Sequence, residues 1–516
     1  MRIKKINQRG LRLLITFILV LGIFFRFFNL DRKVYWYDEA FTSLRISGYT
    51  QTELIEQVFK GHEIGIEDLQ KYQRPNPEKG LIDTIYGLAV EEPQHSPLYY
   101  MTARFWVQMC GNSVTITRSL SALISLLVFP CIYWLCLELF KSPMTGWVAI
   151  ALIAVSPFHI AYAQEAREYS LWTVAILLSS AALLRAIRLK TKITWGIYAA
   201  TVVLALYSFL FSVFVAIGHG VYVVVIERFR LSKTVTAYLQ ASFVGLLGFV
   251  PWLVIIIINL KAVHHTTSWA AEAQVTPWFW FKEWTHNLKF IVHDLGIGPY
   301  LTPIILVLGG YSLYFLWRKT PLQVWLFILT MLVVPALGLI LPDLISGGIR
   351  SITPRYQIPC YLAIQIAIAH LLATKIATAS LSQRKIWQPI TTILILVGLV
   401  SCAITSQAES SFTKFISGAN PQIARIINKA NRPLLISDSL STNAGDMLSL
   451  SHNLDPKVRI LLFSEPKKPE ISKDFSDVFL FRYKSFKSAQ HELETQYQHK
   501  IEPVGNISTL WRIVNY

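Results

Sequence analysis

The sequence predicts a polytopic α-helical membrane protein that ends in a small α/β domain. Three observations predict it. Of the 516 residues, 53% are hydrophobic and only 15% charged, with a mean hydropathy of +0.44, a composition poor in charge for a soluble protein. Apolar stretches of bilayer-crossing length recur as far as residue 406 and then stop. The basic residues cluster at alternate ends of successive stretches, as topology-setting charges do.

The apolar stretches run over about 11–30, 116–138, 144–162, 169–187, 194–208, 210–226, 237–259, 299–317, 321–341, 357–374 and 387–406, which makes about eleven spans. Only Arg12, Thr16, Arg26 and Asn29 interrupt the first. That stretch starts with basic residues, as a signal peptide does. However, Phe24-Phe25-Arg26-Phe27-Phe28 offers no small-residue cleavage site, so it is expected to stay as a span. The run 194–226 is too long for one crossing and short for two, and divides near Tyr207-Ser208-Phe209.

A net charge of +17 invites a nucleic-acid reading, but its distribution excludes one. The basic clusters are Arg2/Lys4/Lys5/Arg9/Arg12, Arg185/Arg188/Lys190/Lys192, Arg228/Arg230/Lys233, Arg318/Lys319 and Arg384/Lys385, and no single soluble domain gathers them. They assign one side, with the N-terminus, to the cytoplasm. Loop 31–115, hairpin 163–168, loop 260–298, loop 342–356 and tail 407–516 then face away from it. The sequence thus divides into a membrane domain, 1–406, and a soluble outward domain, 407–516, in a cell (inner or plasma) membrane. Cys110, Cys131, Cys136, Cys360 and Cys402 lie mostly within spans, the tail has none, and no metal-ligand spacing is seen.

Loop 31–115 is too long for a mere connector. Thr50-x-x-Glu53 predicts a capping box ahead of an apolar stripe, Leu54, Ile55, Val58 and Phe59, expected to face lipid or neighbouring spans. Residues 61–93, with Gly61, Gly65, Pro75, Pro77, Gly80 and Pro93, read as loop, and Pro97 to Val107 as an amphipathic helix. In loop 260–298, Trp269, Trp278, Trp280 and Trp284 fit an interfacial aromatic belt better than a sugar-stacking surface, beside His264, His265, His286 and His293. In the tail, Pro433–Ser437, Val458–Phe463, Val478–Arg482 and Thr509–Val514 predict strands, and Ser485–His499 a helix with Phe486 and Leu493 inward. No nucleophile or phosphate loop is evident there, which leaves a supporting or acceptor-handling role.

The residues that suggest chemistry fall on the outward side. Trp36-Tyr37-Asp38-Glu39 places two carboxylates just after the first span, where they meet headgroup water or line a polar cavity. The plainer reading is that Asp38 caps a helix starting at Ala40. Glu91-Glu92-Pro93-Gln94-His95-Ser96-Pro97-Leu98-Tyr99-Tyr100 brings two carboxylates and an imidazole together, a set that suits a divalent cation or a hydroxyl, or else forms a solvated turn before a helix. Gln164-Glu165-Ala166-Arg167-Glu168-Tyr169 squeezes three charges between two spans, where they pair or act. Arg350 and Arg355, ahead of Tyr356, run against the positive-inside bias, and a guanidinium fork suits a phosphate at headgroup depth. Acidic residues, arginines and lipid-holding spans together suit a reaction in which a lipid phosphate leaves. A hydroxyl attacks, a carboxylate takes its proton and a cation steadies the departing phosphate.

The order Tyr37-Asp38-Glu39-Ala40, His95-Ser96-Pro97-Leu98-Tyr99-Tyr100, Gln164-Glu165-Ala166-Arg167-Glu168-Tyr169-Ser170 and Pro354-Arg355-Tyr356 resembles the bacterial family-39 glycosyltransferases. These include protein O-mannosyltransferase-like and aminoarabinose-transferase-like enzymes of the GT-C fold. The resemblance covers about residues 10–406. It implies an inverting transfer from a polyprenyl-phosphate-linked sugar, with Asp38 as catalytic base and Glu39 as its neighbour or the acceptor's orienter. Glu92, His95, Tyr99, Glu165, Arg167 and Glu168 would shape the substrate site, and Arg350 or Arg355, with Tyr356, would bind the lipid phosphate. The acceptor would be a lipid, a glycan or a protein. The family usually has two prolines after the histidine, and Ser96 stands in the first position here, which loosens the placement of His95. A transporter or flippase of a lipid-linked or amphipathic solute is the competing class. It usually shows paired repeats and broken spans, and no such duplication is seen. A ligase moving whole lipid-linked glycans would differ only in its substrate.

Overall fold

The structure is a computed structural model that describes residues 8–295, 298–378, 381–440, 442–464, 474–482, 494 and 500–514. Among these, seven helices are long and apolar enough to cross a membrane, from Val114–Phe140 to Gln383–Thr405. A bent pair, Pro143–Ala154 and Pro157–Ala163, forms an eighth candidate, and Leu13–Phe27, Lys192–Ser208 and Ser212–Ile226 are shorter apolar helices. Each expected stretch is therefore helical, although several fall short of a full crossing by length. The chain divides into two compact units: residues 1–28, 92–99 and 118–407, and residues 29–91, 100–117 and 408–516.

In the first unit, stretch 144–162 is not the single straight span expected. It bends by 65° between Ala154 and Pro157. Proline has no amide to donate and disfavours helical geometry in the residue before it, so the ladder breaks there and frees carbonyls in a region without water. The freed carbonyls find other donors. The Arg26 guanidinium donates to Ala154 O and Ile153 O, each at 3.2 Å, and to Gly22 O at 2.7 Å. Cys402 Sγ donates to Val155 O at 3.3 Å, and Ser156 Oγ to Ile291 O at 2.8 Å. Two glycines let neighbouring helices approach this closely: a Cβ on Gly22 would meet Ala154 O at 2.5 Å, and one on Gly398 would meet Val155 O at 2.6 Å. The charge that interrupts the first span is thus a cap for another helix.

The run 194–226 breaks where expected. Ser208 Oγ donates to Leu204 O at 2.6 Å and Ser212 Oγ to Ala205 O at 2.7 Å, so two serines serve the carbonyls at the break. Segment 260–298 contains two helices, Leu260–Ala271 and Pro277–Leu288.

The second unit centres on a six-stranded mixed sheet: β1 (Lys60–Ile64), β2 (Pro433–Asp438), β3 (Arg459–Phe463), β4 (Asp477–Phe481), β5 (Ile501–Val504) and β6 (Ile507–Ile513), in the order β1-β3-β2-β4-β6-β5. Parallel β2, β3 and β4 form its middle, with Leu434, Ile436, Leu461, Val478 and Leu480 in the core. The four strands expected in the tail are present within a residue or two. The expected helix Ser485–His499 lies outside the described residues apart from Glu494. Residues 61–93 correct the sequence reading, since they hold β1 and the helices Ile66–Gln70 and Leu81–Glu91. Because β1 pairs with β3, loop 31–115 belongs largely with the tail and not with the membrane domain in which the division at 406 placed it. The Thr50–Glu53 capping box forms as expected. Its stripe does not face lipid, for Leu54 and Val58 are buried in the protein.

Replacing Arg26 by Leu should orphan the carbonyls at the bend, at a cost of about 1–3 kcal/mol for each one left unsatisfied. The expected outcome is a thermal midpoint several degrees lower in detergent, read by scanning fluorimetry, with Arg26→Lys intermediate.

Candidate active site

In the first unit, the turn 164–168 brings three predicted residues together. Glu168 stands at the N-cap of helix Tyr169–Leu189, whose positive dipole end favours a carboxylate. Its Oε1 lies 3.0 Å from His95 Nδ1 and 3.3 Å from Arg167 Nη2, with Glu168 fully buried and His95 reaching the surface. Burial raises the Glu168 carboxyl, but Arg167 and then His95 outweigh it and hold the group down to about 2. The backbone around this cluster is pinned as well. Ser121 Oγ donates to Arg167 O at 3.2 Å and lies 2.8 Å from Tyr99 OH. Tyr99 is fully buried in that contact, which makes it a support rather than a substrate contact. Glu165 is buried in the same turn, and Glu92 is half-buried just ahead of His95. Ser96 donates to Leu206 O at 2.7 Å, so a hydrogen bond anchors the chain beside His95.

Arg350 and Arg355 separate in their contacts. Arg350 pairs with Asp343 at 2.9 Å, and Asp343 also accepts the Ser351 amide at 2.7 Å, so Arg350 braces its own loop. Arg355 sits among aromatic faces, its guanidinium carbon 5.4 Å from the Trp269 ring centre, 5.5 Å from Tyr356 and 5.9 Å from Tyr169. Such faces hold a planar cation by its flat side. The tryptophans expected to form a belt mostly hold this loop. Trp280 Nε1 donates to Gly348 O at 2.9 Å and Trp284 Nε1 to Ser351 Oγ at 3.1 Å, whereas Trp278 is exposed. Of the loop's histidines, His293 is fully buried, and burial, with Lys289 and His286, pushes its imidazole down to about 4, leaving it neutral at pH 7.

In the second unit, the helix that carries the acidic pair spans Tyr37–Ile46, so its N-cap is Trp36. Asp38 is inside the first turn and does not cap a helix starting at Ala40. Its side chain keeps accessible surface, whereas Glu39 is fully buried and paired with Lys414 at 2.8 Å. Glu39 therefore has no surface with which to orient an acceptor. Glu91, weighed as a cation ligand, is also taken: it pairs with Arg45 at 2.6 Å and accepts the amides of Gln51 at 2.7 Å and Thr52 at 3.0 Å. Among the described residues, no group of three His, Cys, Asp or Glu side chains could hold a metal ion. Asp343 and Lys414 were not singled out from the sequence, because no local spacing marks them, and Trp269 was read there only as part of a belt.

The fold belongs to a class already solved. Over 98% of both chains, this protein is similar to ArnT from Cupriavidus metallidurans in the apo state, at 12% identity and TM-score 0.56. With ArnT from the same organism bound to undecaprenyl phosphate, the coverage is again 98% of each chain, at 11% identity and TM-score 0.54. The architecture is thus a GT-C-type, multi-span helical membrane fold. Residues 94–255 match the family described as dolichyl-phosphate-mannose-protein mannosyltransferase, a stretch that contains His95, Arg167 and Glu168 but neither Asp38 nor Arg355. No curated protein gives a significant match.

Since the Glu168 carboxyl titrates in the folded protein near 2 and not at its ordinary 4.5, its stabilising contribution is complete above pH 4.5 and is lost as pH falls toward 2. Thermal midpoints in detergent should therefore fall with acid more steeply for the wild type than for Glu168→Gln, which starts lower. Parallel acid limbs would remove the assigned role.

Proposed function

We propose that the chain is a membrane glycosyltransferase that moves a sugar from a polyprenyl-phosphate-linked donor to an extracytoplasmic acceptor. The observation that carries this reading is the fold, shared over 98% of both chains with a protein solved with undecaprenyl phosphate. The match of residues 94–255 to a family named for a lipid-phosphate sugar donor supports it. In the reaction, the acceptor hydroxyl attacks the anomeric carbon from the face opposite the phosphate, so the configuration inverts. As the new C–O bond forms, the bond to the phosphate oxygen breaks, and the lipid phosphate leaves with the electron pair. The Asp38 carboxylate takes the hydroxyl proton, and the accessibility it keeps beside the buried Glu39 supports that choice. Arg355 stabilises the charge gathering on the phosphate, a choice supported by its aromatic surround and by the engagement of Arg350 with Asp343. The Arg167–Glu168–His95 cluster presents an imidazole to substrate on a rigid buried base. The N-terminus is cytoplasmic and residues 407–516 are extracytoplasmic, as the alternating basic clusters suggest.

Membranes supplied with radiolabelled polyprenyl-phosphate sugars test the chemistry. Asp38→Asn should lower transfer by about a hundredfold or more, the scale of a lost general base. Arg355→Gln should be equally damaging, with Arg355→Lys recovering part of the rate because a point charge replaces the fork. Full transfer by a monodisperse Asp38→Asn protein would remove Asp38 as the base. Alkaline phosphatase fused after residue 516 should be active in a bacterial host and inactive when fused after residue 230; the reverse pattern would invert the topology.

A further inference from the structure

The helix that carries Asp38 begins without a cap of its own. Trp36, at its N-cap, is extended (φ −83°, ψ 174°) and its side chain bonds to no first-turn amide. Elsewhere the chain places Thr50, Ser142, Thr191, Ser232 or Thr276 at a helix start, and each accepts an amide of its own first turn. For helix Tyr37–Ile46 the acceptor comes from 380 residues away, where Ser417 Oγ receives the Tyr37 amide at 3.0 Å. Ser417 turns its own hydroxyl hydrogen to Asp446 Oδ1 at 2.6 Å, which aims its lone pairs back at that amide. Asp446 is itself immobilised, accepting from Asn420 Nδ2 at 2.9 Å and pairing with Arg482 at 2.5 Å.

Two further contacts hold the same turn. Lys414 pairs with Glu39, next to Asp38, and lies 5.6 Å from the Trp36 ring centre. Gly445, on helix Asn443–Ser451, has no side chain where any Cβ would strike the rings of Phe41 and Tyr37, so that helix lies directly beneath. Residues 36, 37, 39 and 41 are thus each held by the tail, and Asp38 lies on the turn they define. A carboxylate on a first turn moves with the dihedrals of that turn, and a displacement of about 1 Å is enough to cost a proton transfer much of its rate.

We propose that Ser417 and Lys414 are positioning residues for the Asp38 carboxylate, so that the C-terminal segment sets the aim of the base. The inference rests on Asp38 being the base. It gives the tail a role in the rate of the reaction, in place of acceptor handling alone.

The test uses the full-length protein in membranes and in detergent, with radiolabelled polyprenyl-phosphate sugars. Ser417→Ala and Lys414→Met should lower kcat by about tenfold or more while donor KM stays within about twofold, since aim is lost and binding is not. Ser417→Thr and Lys414→Arg should restore most of the rate, which general destabilisation would not predict. Hydrogen exchange provides a readout that needs no donor: amides of residues 35–47 should exchange faster in Ser417→Ala, with those of 433–438 unchanged. A monodisperse Ser417→Ala protein with wild-type kcat, or with unchanged exchange over 35–47, overturns the proposal even if Lys414→Met fails to fold. Asp38→Asn run alongside separates the two levels. Its loss of activity beside an unaffected Ser417→Ala defeats the positioning role alone. Wild-type transfer by Asp38→Asn defeats the base and this inference with it.

Discussion

A backbone group freed away from water has to find a partner, and that constraint organises this structure more than any single ion pair. Where Pro157 breaks a helix, Arg26 and Cys402 take the carbonyls. Where the run 194–226 divides, Ser208 and Ser212 add their hydroxyls to Leu204 O and Ala205 O. Where helix Tyr37–Ile46 starts without a local cap, Ser417 receives the amide. The Arg26, Cys402 and Ser417 contacts bind together segments far apart in the chain, so satisfying a helix end there also fixes tertiary structure. Gly22 and Gly398 follow from the same demand, since donors reach those carbonyls only where helices pack close.

Charge follows a parallel logic. A carboxylate buried without a partner is expensive, and three buried acids here are matched by cations: Glu39 by Lys414, Glu168 by Arg167 and His95, Asp343 by Arg350. The pairing sorts residues that look alike in the sequence. Asp38 and Glu39 are neighbours of the same chemistry, yet one keeps accessible surface and the other is sealed into an ion pair. Arg350 and Arg355 are five residues apart, yet one braces a loop and the other is held by the faces of Tyr169, Trp269 and Tyr356.

The membrane helices were legible in the sequence because bilayer thickness imposes a length and an apolar character that no packing detail can remove. The Thr50–Glu53 cap and the four tail strands were legible for a similar reason, since their signals lie within a few residues of one another. Of the candidate site, the residue types and their order along the chain could be read, including His95, Arg167 and Glu168. Hidden were the strand Lys60–Ile64, whose pairing partner lies about 400 residues later, and the use of Trp280 and Trp284 as hydrogen-bond donors to a loop.

By itself, then, the sequence determined the class of protein and the residue types at its disposal: apolar length sets the spans, and carboxylates and arginines recur in the segments between them. The tertiary structure decided the partners: Glu39 meets Lys414, the Tyr37 amide meets Ser417, and the faces of Tyr169 and Trp269 close on Arg355. That depends on contacts between residues tens to hundreds apart, which composition, periodicity and spacing do not encode.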